Sequence, residues 1–534
     1  MKNAILASLL ITGLLSSSAR GQVPHRPSIQ FPANNTRVTT NQITVSGTTK
    51  PGSGVTSVQY TIDGNGPITA TQLNDKNWNN WEAAVPLMVG SNRFQVWADG
   101  PGGASISNSA NYFMVVTNSI AILTFGKGAE TPNLNGKELV IDKDYKILAV
   151  PDNGQFFAGW TGSVTSAEPK LTFLMQSNMH LIATFVPNPF TTNNLTGLYG
   201  GLFWDTNNPS ETNAGLLTMT LADDGNFGGQ ISVDGGVVPF DGRFDTNGAA
   251  QLSLHRYTRA ELTVSLALDL NGVNGLTGTV ASVGTNGSGA FAATLEAYRE
   301  LDADHIPRDF GGNYTVAMNG AGNGNPSNAP QGFSYGTASV GSGGHVNLHL
   351  FLSDGTTAIT SGDLTGNGYL PLYVSLYAGR GSALGWIAFT NGRPTTNYEI
   401  FWFKEPVAGD TYVGGFSLTN RTVWIDPHKP PAGGANVLGL TNAVVQFTGS
   451  DLAVSLSDPL TLNAEGVGSG ANTNVVKLTV HNQTGLFKGS FIDPTKGQKV
   501  LFHGAALESM RQGLGYFMTD DGLSGAVVIT AALP

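Results

Sequence analysis

From Pro27 onward, apolar and polar residues alternate in short runs, each stopped by Gly, Asn or Asp. Ile43-Thr44-Val45-Ser46-Gly47 keeps a period of two, as do Phe94-Gln95-Val96-Trp97-Ala98 and Val58-Gln59-Tyr60-Thr61-Ile62, which ends at the Asp63-Gly64 turn. Period two puts every second side chain on one face of a strand, and Asp-Gly is a strong hairpin signal. No stretch sustains the 3.6-residue apolar period of a helix. Only Ala505 to Arg511 is expected to make a short helical turn. The pattern predicts an all-β, multidomain chain.

Residues 27–117 hold about seven such runs, the count of a β-sandwich. They include Val45-Ser46-Gly47-Thr48, the Trp81 run leading into Val85-Pro86-Leu87, and Gly90-Ser91-Asn92-Arg93-Phe94. On these features the segment resembles bacterial Ig-like modules. Such modules serve as spacers, adhesins or appendages of glycan-active enzymes. Residues 118–187 follow with Phe156-Phe157-Ala158-Gly159-Trp160-Thr161-Gly162, Leu171-Thr172-Phe173-Leu174-Met175 and Leu181-Ile182-Ala183-Thr184-Phe185-Val186. This resembles the divergent InlB B-repeat of bacterial surface proteins, with Trp160 as a core residue. Pro187-Asn188-Pro189 opens a segment, 188–196, read as a stiff linker.

From Gly197 the chain repeats itself. Strands led by Gly225, Gly344 and Gly485 place Phe227, Val346 and Phe487 at matching positions. A second signature recurs at Leu276-Thr277-Gly278, Leu384-Gly385-Trp386 and Leu523-Ser524-Gly525. Three related antiparallel meanders are expected, closing as barrels or sandwiches, over 197–303, 304–410 and 411–534. The pattern resembles C-terminal regions of large secreted modular proteins of environmental bacteria.

Composition adds a compartment. Lys2 precedes an apolar run from Ala4 to Leu15 and then small residues. That is a secretory signal in residues 1–21, too short to span a bilayer. Cleavage is expected after Ala19 or Gly21, and no later stretch is long enough for a membrane span. The net charge is −10, and removing Lys2 and Arg20 takes it to −12. With no basic cluster, nucleic acid is excluded as a partner. There is no cysteine, so packing rather than disulfides must hold an exported fold together.

No linear catalytic motif is present: no Gly-x-Ser-x-Gly elbow, phosphate loop or His-Glu-x-x-His helix. His345 and His349 have a helical metal spacing, but on a strand four positions span ~13 Å, too far for one zinc ion. Asp223-Asp224-Gly225 and Asp520-Asp521-Gly522 read as turns, and Asp302-Ala303-Asp304 lacks the rest of a calcium loop. No metal and no cofactor are expected. The remaining candidate is Tyr398-Glu399-Ile400-Phe401-Trp402-Phe403, where Tyr398 and Trp402 share one face of an ideal strand. Exposed aromatic rings stack on sugars, whereas a strand apolar on both faces is more simply one buried between sheets. The core reading is favoured. The function expected is a non-catalytic secreted or cell-surface protein for adhesion or binding, with an extracellular glycan or surface protein as partner. The alternative is a carbohydrate-active enzyme, or its accessory subunit, whose site is not visible as a linear motif.

Overall fold

The computed structural model describes residues 21–73, 77–257, 259–271, 275–284, 289–301, 310–322, 324–390, 393–470 and 476–532. The signal-like segment and the Asp302–Asp304 pair lie outside them. Strands account for 59% of the protein and helix for 2%, so the alternation does produce an all-β chain. It divides into two compact units, one ending at Val186 and the other starting at Pro187.

In the first unit, residues 28–114 form two facing sheets. Ser28–Phe31, Gln42–Thr48, Asn80–Pro86 and Thr71–Gln72 lie side by side in one. Thr36–Val38, Asn108–Met114, Gly90–Gly100, Ser57–Ile62 and Asn65–Thr69 follow in that order in the other. Alternation turns Val45, Val58, Trp81, Phe94 and Tyr112 into the shared core. The Phe94 ring sits 6.3 Å from Trp81 and 5.4 Å from Tyr60, so aromatic contacts stand where a disulfide would otherwise clamp two sheets. Residues 117–187 build three smaller sheets around Trp160, which is fully buried beside Phe157. Its indole Nε1 donates to the Pro169 carbonyl at 3.1 Å, which satisfies the buried polar atom.

The second unit contains three eight-stranded antiparallel meanders, spanning Gly197–Arg299, Gly312–His428 and Asn442–Ala531. In each, the first strand pairs with the eighth: Tyr199 faces Arg299, Asn313 faces His428 and Ala443 faces Ala531. The third ladder closes completely, whereas the first two are interrupted between strands four and five. One hairpin device recurs. Gly225, Gly344 and Gly466 all have φ between +75° and +79° and precede the third strand. Their N–H groups donate to Ala222, Gly341 and Asn463 at 3.0–3.2 Å, and their carbonyls accept from Phe244, Leu364 and Val480.

This corrects the expected repeat. Gly225 and Gly344 hold equivalent turns, but Gly485 precedes the fifth strand of its barrel, where Gly248 and Gly368 stand in the other two. Phe487 is therefore not the partner of Phe227 and Val346. The same turn chemistry returns every two strands at one end of the barrel. A slip of one hairpin keeps every inward residue inward, so alternation alone does not fix the match. The second signature slips likewise: Leu276, Leu384 and Ser524 lie on the seventh, sixth and eighth strands.

Three further expectations change. The second meander does not end at residue 410, because Phe416–His428 is its eighth strand. Residues 188–196 do not form an open linker. Pro189–Thr192 is a single helical turn capped by the Asn188 side chain, with Pro at a first-turn position that needs no N–H donor. Phe190 is buried 6.4 Å from Phe244, and Asn188 and Asn193 reach the Asp223 and Leu270 carbonyls, laying the segment across one end of the first barrel. Finally, Lys499–Leu507 is a strand, and only a tight turn follows it, with Arg511 N–H donating to Glu508.

A Cβ on Gly466 would strike the Val480 carbonyl oxygen, and its backbone is left-handed, whereas one on Gly228 would meet only the Phe240 carbonyl oxygen at an ordinary 3.8 Å, with ordinary φ. Gly466→Val is expected to cost at least about 1–2 kcal/mol. Gly228→Ala should be neutral or mildly stabilising, since it restricts only the unfolded chain. Urea melts followed by intrinsic fluorescence check the pair, and equal melts would refute the assigned turn.

Candidate functional site

The aromatic strand expected to carry Tyr398 and Trp402 together does not do so. Two register shifts, between Asn397 and Ile400 and between Ile400 and Trp402, interrupt its pairing, and Glu399 adopts φ +60°. The bulge leaves Tyr398 68% exposed while Trp402 is 0% exposed in the second barrel's core. Trp402 Nε1 donates to Tyr377 Oη at 3.0 Å, and that hydroxyl donates to Asp354 at 2.6 Å. Phe401 and Phe403 point the other way, into an apolar cluster with Trp204 and Ala214 of the first barrel. The strand is thus apolar on both faces because both faces are covered.

Behind that cluster lies a strongly perturbed carboxyl. Glu211, on a short 3-10 turn after the first barrel's first strand, is 4% exposed and accepts a hydrogen bond from Ser382 of the second barrel. Its other oxygen has no partner. Burial pushes the carboxyl up to about 7, helped by the nearby Asp234 and Glu405 charges and opposed by Ser382 and Arg259. Asp234, paired with Arg256 and Arg259, is raised as well, again chiefly by burial. A carboxyl near neutrality in an open cleft would suit proton transfer. Glu211 is instead sealed in a packed junction, where the Gly235 and Gly379 backbones also touch.

The junction between the second and third barrels is different, because part of it is open. It is held by Thr315 Oγ1 donating to the Ala506 carbonyl at 2.7 Å, and by Ser509 N–H donating to Asp426 at 2.9 Å. Beside these bonds is a cleft of about 420 Å3. Strand register lays its floor in rows on the second barrel's outer face. Asn313, Ser339 and Asn347 stand opposite one another, and Thr337, His349 and Ile359 form the next row. The Gln483-Thr484 turn of the third barrel makes the opposite wall. His428 closes one end, its Nδ1 2.6 Å from Glu508 Oε1. That contact holds the imidazole above its ordinary value, against the opposing effect of burial. Nε2 is buried, and the ring is also drawn to the Gln483 backbone, which raises the imidazole further.

Other candidates disperse. His345 is exposed and bonds Asp363 at 2.8 Å, while His349 packs 4.6 Å from Phe351 on the same strand. Asp224 accepts from the Asn226 N–H within its hairpin turn, and Asp520 and Asp521 also occupy a turn. Among the described residues no group of three or more His, Cys, Asp or Glu is placed to hold a metal. Apart from His349, whose spacing from His345 suggested only a metal, none of the cleft residues stands out in the sequence, since exposed Asn, Ser and Thr at alternate strand positions are ordinary surface.

The small sheets around Trp160 have a counterpart among known families. Residues 121–189 match the divergent InlB B-repeat domain. The B-repeat segment covers a small share of the chain, and a comparison with curated protein sequences finds no match. Solved structures that align broadly include intact Ap-TbpB with its N and C lobes, at 8% identity and TM-score 0.16, over 76% of this chain and 86% of that one. Another is a protein of unknown function of the DUF3598 family from Nostoc punctiforme, at 11% identity and TM-score 0.14, over 45% and 98%. A third is SGBP-B of the Bacteroides ovatus mixed-linkage glucan utilization locus, bound to a mixed-linkage heptasaccharide, at 11% identity and TM-score 0.14, over 94% and 99%. At such scores these likenesses carry neither fold nor ligand to this chain. No helix of the described residues is long and apolar enough to cross a membrane.

Two outcomes follow from the geometry. Trp402→Ala should cost about 3–5 kcal/mol, the usual loss for emptying an aromatic core site, while Tyr398→Ala should change stability by less than about 0.5 kcal/mol. Denaturant melts of the two variants test this contrast. For Glu211, a value raised from 4.5 to about 7 means that the native state holds its proton more tightly than the unfolded chain. Its stability is then complete below pH 4.5 and declines as pH rises to about 7, by on the order of 3 kcal/mol at most. Glu211→Gln keeps an acceptor for Ser382 and should remove this slope. Melting temperatures across pH 4–8 that run parallel in both proteins would show that Glu211 ionises normally.

Proposed function

We propose that the chain is an exported, non-catalytic binding protein of a bacterial cell surface. On this reading the first unit, with its Ig-like and B-repeat modules, displays the barrels, and the barrels meet the ligand. One observation carries it: side chains occupy the interiors of the second and third barrels, leaving in the second only an apolar cavity of about 30 Å3, so a ligand of any size has to use an outer face there. Trp402 fills the second barrel, and Phe447, Phe491, Phe502 and Phe517 pack within 4.1–6.1 Å of one another in the third. Much outer surface at the junctions is covered, and two clefts stay open between the second and third barrels: one of about 420 Å3 beside His428 and one of about 370 Å3 between Asn319, Gln331 and Thr448, of which the first offers the larger set of outward amides. The match of residues 121–189 to a repeat domain of surface proteins supports display outside the cell. So do the apolar run Ala4–Leu15 after Lys2 and the lack of cysteine.

Expression of the full chain in a Gram-negative host with N-terminal sequencing of the exported product tests the location. The mature protein should begin at Arg20 or Gln22. Surface proteolysis of intact cells should remove it, and an intact Met1 in the cytosolic fraction would refute export. Binding is tested by probing a glycan array and isolated bacterial and plant cell walls with the purified protein, with no turnover of any bound material expected.

A further inference from the structure

We propose that the cleft between the second and third barrels binds an uncharged oligosaccharide. This rests on the reading of the chain as a binding protein and assigns the chemistry of its ligand. The first argument is charge. The cleft is lined by amides, hydroxyls and imidazoles, without a carboxylate, ammonium or guanidinium group among its lining residues. Its one histidine drawn toward the charged form, His428, is neutralised by Glu508 at 2.6 Å. Neither an anion nor a cation would find a counter-charge there, so a charged ligand would lose its hydration without recompense.

The second argument is hydrogen-bonding capacity held in reserve. The side chains of Asn313, Asn347 and Gln483 bond to no other described residue, though each amide offers two donors and an acceptor. Asn313 and Asn347 flank Ser339 in one registered row, and Gln483 faces them from the other barrel. Amides in this arrangement match the paired donor and acceptor character of neighbouring sugar hydroxyls. His428 is held in the cleft wall by Glu508 and by the Gln483 backbone, so the ring fixes this end of the cleft and the amides meet the ligand.

The third argument is the apolar surface beside that row. His349 lies 4.6 Å from the half-buried Phe351, which rests in turn on the buried Tyr335. Strand register puts the His349 ring in the row beside the amides, with Ile359 76% exposed next to it, so these two side chains are the apolar surface of the cleft. Rings beside amides suit the alternating apolar faces and polar rims of a sugar chain. A volume of about 420 Å3 is within the span of small-ligand pockets, and its open side lets a chain extend past it.

Isothermal titration of the full-length mature protein with neutral cello-, xylo- and manno-hexaose tests the assignment, with oligogalacturonate and a heparin hexasaccharide as charged comparisons. Binding should be confined to neutral chains. Asn347→Ala with Gln483→Ala should weaken it about tenfold or more at unchanged melting temperature, the loss of one to two net hydrogen bonds. Ser339→Trp should block it by filling the floor, and Tyr398→Ala should leave it unchanged. Neutral-chain binding that survives both cleft variants within twofold would move the ligand elsewhere while leaving the binding role intact. Preference for the charged oligosaccharides, or no affinity for any neutral one, would overturn the ligand class. In that case the array and cell-wall experiment judges the binding role independently.

Discussion

The pairing of first strand with eighth is the constraint on which the second unit depends. An open eight-stranded meander would leave two rows of unpaired backbone groups, a template for association with other chains. Joining Ala443 to Ala531 removes those edges in the third barrel, and joining Tyr199 to Arg299 and Asn313 to His428 leaves the first two with one gap each, between the fourth and fifth strands. It also divides every strand into an inward and an outward set. An eight-stranded barrel can either fill its interior or hold one small ligand, and here large inward rings such as Trp402, Phe447, Phe491 and Phe502 commit the inward set to packing. Closure therefore pushes recognition onto the outward set.

The two barrel junctions show how differently an outward face is used. Between the first and second barrels, Phe401, Phe403, Leu384 and Trp204 form a dry contact, and carboxyls caught in it are displaced upward. Between the second and third, Ala317, Leu507 and Leu514 form an apolar patch with Phe333 and Trp424, and a set of hydrogen bonds joins the two barrels, from Thr315, Ser509, Gln331 and Phe333 and between His428 and Glu508. A contact made in part by directional bonds need not be flush over its whole area. Where the barrels diverge past His428, the polar outer rows stay wet, and the cleft is what remains.

Class and alternation were legible in the sequence because they are local. A period of two with Asp-Gly and Asn-Gly punctuation specifies strands and hairpins whatever the rest of the chain does. The same locality produced the errors. Gly485 has the turn chemistry of Gly225, yet a repeat unit of two strands fits a meander at several offsets, and only the count of strands around the barrel distinguishes them. Residues 411–428 were separated from their barrel because the loop before them, with Pro406 and Gly409, looks like a boundary. The paired prolines of 187–189 read as a stiff spacer although one of them starts a capped turn whose Phe190 is buried. A better repeat signal was present but unused: Tyr199 and Tyr314 each donate to the carbonyl four residues before, at Leu195 and Phe310. Both tyrosines follow a Gly-x step at the start of a first strand.

The candidate site was hidden for a stronger reason. Aromatic residues drew the reading to Tyr398 and Trp402, but in a closed barrel the large rings are the residues that interiors and junctions absorb first. What remains available to a ligand is then drawn from side chains too common to stand out, such as Asn313, Asn347 and Gln483. Asn313 and Gln483 are 170 positions apart in the chain. Nothing in the local pattern of either segment says that they will face each other, because their meeting is fixed by which outer face of one barrel docks against the next. That docking depends in turn on Thr315 and Ala506, on Asp426 and Ser509, and on the apolar patch around Leu507, none of which touches the cleft amides. The site is therefore a property of the assembled pair of barrels, and a motif search over either barrel alone has no residues with which to find it.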